Sequence, residues 1–138
     1  MKAEELRLGN YVYYNGMNLQ VYSIQNKFPR FPEGGRWDNA ILIDLVCDGI
    51  ITCTLEEVSG IPLNEEIFLS CGFKYLNEGN KSEGMISPEN EKGIKFKVEK
   101  IAGDFMFAIN PYYYHKTSFL HELQNLYYIL TKKELEVN

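Results

Sequence analysis

Three short turn sequences constrain the fold of this chain more than any other feature. Each pairs glycine with asparagine or aspartate, and each separates two runs of apolar and aromatic residues. Such pairs favour tight hairpins, because the turn places its central residues at positive φ. The three pairs are Asn15-Gly16, Asp48-Gly49 and Gly103-Asp104. The sequence therefore predicts three β-hairpins, the first of which begins an N-terminal sheet.

The first predicted hairpin has no cleanly polar face. Val12 and Tyr14 point to one side of the strand, whereas Tyr11 and Tyr13 point to the other. This pattern is typical of a small, strongly curved sheet that is covered on much of both sides, as in a compact barrel. We therefore expect residues 1–58 to form a β-rich half that resembles an SH3-like barrel.

The second half, residues 59–138, carries two helix patterns, one before and one after the third hairpin. Asn64 suits an N-cap and Gly72 suits a C′ position, which predicts a short helix between them. Apolar residues at helical spacing predict a second helix over 118–130. The stripe of this helix consists of Phe119, Leu123, Leu126 and Leu130, and it is widened by Leu120 and Tyr127.

These elements predict a single α+β domain over 1–138, a length that commonly folds as one domain. The expected architecture is an N-terminal SH3-like small curved antiparallel sheet or barrel, followed by a helix, a β-hairpin and a C-terminal amphipathic helix packed on the sheet. The alternative is one continuous antiparallel sheet with both helices on a single face.

Residues 77–92 lie between the first helix and the third hairpin, and they are rich in Asn, Glu, Gly, Ser and Lys. This composition predicts an exposed, mobile loop. Its glycines, Lys81 and Ser82 resemble a phosphate-binding loop in residue type, but the Walker spacing is absent and no apolar helix follows. We therefore assign no phosphate site to this segment.

The most distinctive candidate binding residues lie in the irregular segment 25–38, where aromatic and basic side chains alternate. They are Phe28, Arg30, Phe31, Arg36 and Trp37. Such a loop can stack on bases or hold a peptide, although a loop pinned to the sheet by its own aromatics is the commoner arrangement. The polar side of the last helix is a second candidate surface, formed by His121, Gln124, Asn125 and Tyr128.

The sequence gives little support to catalysis. His115 and His121 are six residues apart, a spacing that does not place them on one helical face. No G-x-S-x-G, H-E-x-x-H or Cys-His signature is present, and the three cysteines lack paired metal spacing. We expect no catalytic residue, no metal and no cofactor. Asp44, inside an apolar run, is interpreted as an outward-facing strand residue.

The net charge of −5 disfavours nucleic acid as a partner, because binding to the phosphate backbone depends on clustered Lys and Arg. The N-terminus has no apolar signal segment, and no stretch approaches the ~18 apolar residues of a membrane helix. The odd number of cysteines is typical of a reduced chain. The sequence thus predicts a cytoplasmic protein that does not interact with membranes.

A resemblance to a known family is carried by four segments and by Thr131, Glu134 and Leu135. The segments are 5–12 (ELRLGNYV), 61–66 (IPLNEE), 71–73 (CGF) and 120–127 (LHELQNLY). On these residues the chain resembles a family of small uncharacterised proteins of gut-anaerobe bacteria, their phages and integrated mobile elements. The family favours Thr at the position of Asn64 and Gly at that of Lys132, which are cap-level differences. The resemblance implies no activity and no cofactor.

From these observations we expect an accessory protein of phage or mobile-element origin that is a non-catalytic protein- or peptide-binding module. The first alternative is a nucleic-acid-binding small-barrel protein. The second is a hydrolase with carboxylate-based chemistry, because paired acids are recognised by their separation in space and leave no sequence signature.

Overall fold

The computed structural model describes residues 1–25, 41–110 and 113–138. The chain divides into two compact units, Met1–Ile61 and Pro62–Asn138. Within the described residues each unit has its own antiparallel sheet, and both α-helices belong to the second unit. The α+β class is therefore confirmed, whereas the union of both halves in one domain stays a prediction. No helix in these ranges is long and apolar enough to cross a membrane.

The first unit contains four antiparallel strands in the order β1-β2-β3-β4. They are β1 (Tyr11–Tyr14), β2 (Met17–Gln25), β3 (Leu42–Val46) and β4 (Ile50–Thr54). The turn after β1 holds Asn15 at φ 46° and Gly16 at φ 84°, and the turn after β3 holds Asp48 at φ 41°. Both hairpins predicted from these residue types are confirmed.

One face of the first sheet carries the core of this unit. Its buried cluster consists of Leu6, Val12, Val21, Ile43, Leu45, Cys53 and Val58. Tyr13 and Val46 alternate with core residues along their strands and are exposed, as is Ile50, which pairs with Val46. Among the described strands β1 and β4 are not neighbours, so the sheet stays open and no closed barrel is found. The mixed strand faces predict cover on both sides; among the described residues, the buried cluster lies on one face.

The second unit contains a five-stranded antiparallel meander, β5-β6-β7-β8-β9, and two helices. The strands are β5 (Lys74–Tyr75), β6 (Met85–Ile86), β7 (Lys97–Ile101), β8 (Asp104–Asn110) and β9 (Tyr113–Lys116), and the helices are α1 (Glu65–Ser70) and α2 (Leu120–Thr131). The predicted third hairpin is β7-β8, with its turn one residue earlier, at Ala102 and Gly103. The expected lone hairpin is thus the middle of a larger sheet.

The expectation of an exposed loop over 77–92 is wrong for its central part. Met85 and Ile86 form β6, which pairs with β5 on one side and β7 on the other, and Met85 is buried. A two-residue strand is too short to show alternation in sequence, so only its neighbours in the sheet define it.

Both ends of α1 follow the predicted capping pattern. The backbone N–H of Ile67 donates to Oδ1 of Asn64 at 2.9 Å, which satisfies one free donor of the first turn. At the other end Gly72 has φ 88°, and the N–H of Phe73 donates to the carbonyl of Phe68 at 3.0 Å. This is a Schellman motif, and the two Phe rings complete its apolar contact at 5.2 Å.

The core of the second unit is a connected series of aromatic rings with centroid separations between 5.0 and 6.4 Å. In order of contact the rings are Phe105, Phe68, Phe73, Phe107, Phe96 and Tyr127. Phe68 belongs to α1 and Tyr127 to α2, so both helices pack on the same ring series and hence on the same face of the second sheet. The sequence predicts that the C-terminal helix packs on the N-terminal sheet, but its contacts with the aromatic core are made in the second unit.

The buried face of α2 agrees with the predicted stripe only in part, since Leu120, Leu123 and Tyr127 are buried whereas Leu126 and Leu130 are half-buried. Phe119 is the extended residue before the helix, so it lies outside the helical repeat. The buried residues of α2 are Leu120, His121, Leu123, Gln124, Tyr127 and Thr131. Ile129, in contrast, is 62% exposed. The helix is therefore rotated relative to the predicted orientation, because packing against the aromatic core, and not the apolar stripe alone, sets its buried side.

Candidate functional site

The structure tests only part of the predicted binding surfaces. Five of the predicted residues lie outside the described residues, namely Phe28, Arg30, Phe31, Arg36 and Trp37. On α2, His121 and Gln124 are each only 1% exposed, and Asn125 and Tyr128 are half-buried. The expectation that His121 and Gln124 are displayed on a polar surface is wrong, since the rotation of α2 turns both toward the core. A binding role for these residues stays a prediction.

The second unit instead contains a cavity of about 420 Å³ at one end of its sheet. Strands β5 to β8, the first residue of α1 and the turn 81–83 all contribute to it. The lining residues are Glu65, Tyr75, Lys81, Ser82, Gly84, Met85, Val98, Lys100, Gly103 and Phe105. A cavity of this volume is within the range of sites that hold a small ligand or one large side chain of a partner. We refer to it as the lysine-rimmed cavity.

The floor of the lysine-rimmed cavity is apolar and rigid. Met85 and Val98 are cross-strand partners on β6 and β7, and they are 4% and 3% exposed. The ring of Phe105 forms a wall and packs 5.0 Å from the ring of Phe68. Because these side chains belong to the packed sheet, the floor is already formed in the absence of a ligand.

Two ammonium groups stand at the rim of the cavity, each against an aromatic ring. Nζ of Lys81 lies 5.0 Å from the ring centroid of Tyr75, and Nζ of Lys100 lies 5.7 Å from that of Phe105. Both separations are within the range of cation–π attraction. Neither lysine forms an ion pair with a carboxylate in the described ranges, whereas Lys97, on the other face of β7, pairs with Glu99.

The third polar feature of the cavity is a hydrogen bond between Tyr75 and Glu65. The Tyr75 hydroxyl donates to Oε2 of Glu65 at 2.7 Å. This hydrogen bond raises the pKa of the Tyr75 phenol above its ordinary value, because the neutral hydroxyl is the donor that the carboxylate needs. At neutral pH the phenol therefore keeps its proton, and Glu65 contributes the single negative charge of the lining.

Gly84 fixes the position of the turn that carries Lys81 and Ser82. It has φ 97° and ψ −168°, a conformation that is almost restricted to glycine. Its carbonyl accepts a hydrogen bond from the N–H of Leu76 at 3.0 Å. The turn is thereby attached to the strand that follows α1 and lies directly against β7.

Sequence reasoning missed this cavity, although a signal for it was present. Lys81, Ser82 and Gly84 were compared with a Walker motif, and that comparison fails because no helix follows them. The same residues nevertheless line a cavity. The apolar partners Val98 and Phe105 come from strands more than ten residues away, which no local pattern reveals.

The structure supports the interpretation of Asp44 as an outward-facing strand residue. Its neighbours Ile43 and Leu45 face the core, whereas Asp44 lies on the opposite face. Its carboxylate accepts from the Ser23 hydroxyl at 2.6 Å, from the Thr52 hydroxyl at 2.5 Å, and from an amide of β2 at 3.3 Å. These donors, Ser23 foremost, lower the pKa of Asp44. The group is a cross-strand anchor for three strands.

A second concavity, of about 610 Å³, lies between the end of α1 and the C-terminal segment. Four glutamates line it: Glu89, Glu91, Glu134 and Glu136. Its lysine, Lys133, already pairs with Glu91 at 2.5 Å. No group of three or more acidic, His or Cys side chains in the described ranges is arranged to hold a metal ion. We favour the lysine-rimmed cavity because its cations are not paired with carboxylates.

Comparison with known protein families, curated proteins and solved structures gives no match for this chain. The resemblance to proteins of phages and mobile elements therefore stays a prediction. The case for a site depends on the geometry of the lysine-rimmed cavity alone.

Proposed function

We propose that this chain is a non-catalytic binding module, and that the lysine-rimmed cavity takes up an apolar side chain of a protein or peptide partner. The observation that carries the proposal is the combination of a preformed apolar floor, Met85 and Val98, with an open polar rim. A pocket of this kind serves as an anchor for one large side chain, which is how a small interface concentrates its binding free energy.

The polar groups of the cavity favour binding over catalysis. Glu65 accepts a hydrogen bond from Tyr75, and the raised pKa of that phenol keeps it protonated at neutral pH, so that it serves as a hydrogen-bond donor. Lys81 and Lys100 each lie over an aromatic ring. Such an arrangement holds charge in place beside an apolar surface, which is what recognition of a polypeptide segment needs.

Nucleic acid binding, the first alternative, has less support. Among the described lysines, Lys97, Lys116 and Lys133 pair with Glu99, Asp104 and Glu91 respectively. These pairs reduce the positive charge available to a phosphate backbone. The phage or mobile-element origin, the cytoplasmic location and the SH3-like character of the first unit belong to the proposal as predictions from the sequence.

Selection of peptides from a random seven-residue display library tests the proposal. The full chain serves as bait, and the Ser82→Trp variant, which adds a large ring at a lining residue of the cavity, serves for counter-selection. Ser82 is exposed, so this variant is expected to fold. We expect peptides that share one large apolar residue and bind the wild-type chain at least about tenfold more tightly than Ser82→Trp, since loss of an anchor residue costs about 2 kcal/mol or more.

The matched control is Asn18→Trp, an equally large addition at an exposed position of β2 in the first unit. It should bind the selected peptides as the wild type does. If Asn18→Trp and Ser82→Trp weaken binding equally, or if selection returns no peptide, the cavity is not a binding site for polypeptides.

A further inference from the structure

We propose that the ligand of the lysine-rimmed cavity is an anion with an apolar body: an alkyl or aryl group that carries a carboxylate a few bonds away. The carboxylate lies between Lys81 and Lys100, and the apolar group lies on Met85 and Val98 against Phe105. This inference rests on the proposed function, because it names the chemistry of what the same cavity binds.

Charge in the cavity is opposite in sign to the charge of the chain as a whole. The lining contains two lysines and one glutamate, which gives a net charge of +1, whereas the whole chain carries −5. A positive site on an acidic protein attracts an anion locally, while the surrounding surface repels unselected polyanions. The local charge therefore matches a ligand with a single carboxylate better than a strongly charged polymer.

The two ammonium groups are positioned by independent parts of the fold. Lys81 belongs to the turn that Gly84 holds against β7. Lys100 lies on β7 itself, opposite Phe105 of β8. Each ammonium touches a ring on one side, and its N–H donors remain available to an acceptor, because lysine has three donors and no acceptor of its own. Each lysine therefore presents an ammonium donor to the cavity that a carboxylate can accept from.

Glu65 allows a test that distinguishes the binding of an anion from the binding of a purely apolar ligand. Its carboxylate lines the same cavity and is held by the Tyr75 hydroxyl, so it opposes an incoming anion. Neutralising Glu65 should therefore strengthen the binding of an anion, whereas neutralising Lys81 or Lys100 should weaken it. A cavity that recognises only apolar surface would respond to none of the three changes.

The test uses three probes with one apolar body, 4-phenylbutyrate, 4-phenylbutanol and 4-phenylbutylamine, titrated into the full 15N-labelled chain. We expect the carboxylate to bind about tenfold more tightly than the alcohol, with shifts confined to 81–85 and 98–105. Lys81→Ala and Lys100→Ala should each weaken its binding about threefold, and Glu65→Gln should tighten it about twofold. Lys95→Ala, at an exposed position outside the cavity, should change nothing.

Two dipeptides, N-acetyl-Phe-Glu-amide and N-acetyl-Phe-Gln-amide, identify the source of the carboxylate. Preference for the acidic dipeptide points to an acidic segment of a polypeptide. Binding of phenylbutyrate without either dipeptide points to a free organic acid, which keeps this inference and overturns the polypeptide function proposed above. Equal binding of the acid and the alcohol overturns the inference but leaves an apolar anchor. If none of the five probes binds, the inference falls, and the peptide selection decides the proposed function separately.

Discussion

A Cβ atom added to Gly84 would lie 2.4 Å from the carbonyl oxygen of Val98, a separation that no side chain tolerates. Gly84 also has φ 97°, where L-residues with a side chain are strained. The contact brings the turn with Lys81 against β7, and so it forms one side of the lysine-rimmed cavity. The close approach of this turn to β7, which forms one side of the cavity, therefore requires glycine at position 84.

The Gly84→Ala variant should be destabilised by at least about 2 kcal/mol, from backbone strain and the clash with Val98 together. Urea unfolding followed by circular dichroism measures this loss. Gly93→Ala is the matched control, because Gly93 also has positive φ but has nothing within 4 Å of an added Cβ. Its free energy of unfolding should fall by only about 1 kcal/mol. Equal losses in the two variants would show that the contact with Val98 is not decisive.

Phe68→Ala should cost about 3–5 kcal/mol of unfolding free energy. Phe68 is fully buried, ends α1 through its contact with Phe73, and supports the cavity wall at Phe105. Leu69→Ala, at the neighbouring exposed position, should stay within about 0.5 kcal/mol of the wild type. A small effect of Phe68→Ala in chemical denaturation would contradict the ring series as the core of this unit.

Lys132→Gly should stabilise the protein by about 1 kcal/mol. Lys132 ends α2 with φ 61°, a left-handed conformation in which glycine has no steric penalty. Lys132→Ala is the control, since it removes the same contact with the ring of Tyr128 but keeps a Cβ. A gain in thermal unfolding temperature for the glycine variant alone is expected. An equal gain for both would assign the effect to the side chain and not to the backbone.

Asp44 should make the first unit sensitive to acid. Its folded pKa is lowered, chiefly by the Ser23 hydroxyl and then by Thr52, so the unfolded state binds its proton at higher pH. The stabilisation that Asp44 provides is complete above its pKa in the unfolded state, about 3.9, and it is lost as the pH falls through its pKa in the folded state. NMR titration of the Asp44 carboxyl carbon should give a pKa below the ordinary value of an aspartate.

Ser23→Ala is the control for the Asp44 prediction. It removes the hydroxyl of Ser23, which donates to the Asp44 carboxylate, and it leaves the strand pairing intact. The pKa of Asp44 should rise in this variant, and the loss of stability on acidification should begin at higher pH. If the Asp44 pKa is the same with and without the Ser23 hydroxyl, the cross-strand hydrogen bonds do not hold the carboxylate.

Local chemistry explains what could be predicted correctly about the fold. The Asn15-Gly16 and Asp48-Gly49 turns and the caps of α1 at Asn64 and Gly72 lie where the sequence places them. Each depends on positive φ or on a side-chain oxygen next to a free N–H, and such preferences act over four residues or fewer. They define where helices and strands begin and end, but they do not determine which of these elements pair or pack together.

The errors lie where long-range packing decides. His121 and Gln124 are polar but are buried, because the aromatic core and not the hydrophobic stripe sets the rotation of α2. Residues 85–86 have no strand pattern, yet they pair with β5 and β7. The candidate site escaped prediction for the same reason, since it combines a turn, four strands and one helix residue that are distant in sequence.

By itself, the sequence determined the α+β class, the hairpins, the caps and the outward position of Asp44, because each follows from conformational preferences of a few adjacent residues. Only the tertiary structure decided that the four described strands of the first sheet do not close into a barrel, that β6 joins the second sheet, and that Lys81 and Lys100 share one cavity. These features depend on the free energy of burying distant side chains together. This burial free energy depends on the assembled core and cannot be read from any single segment of the sequence.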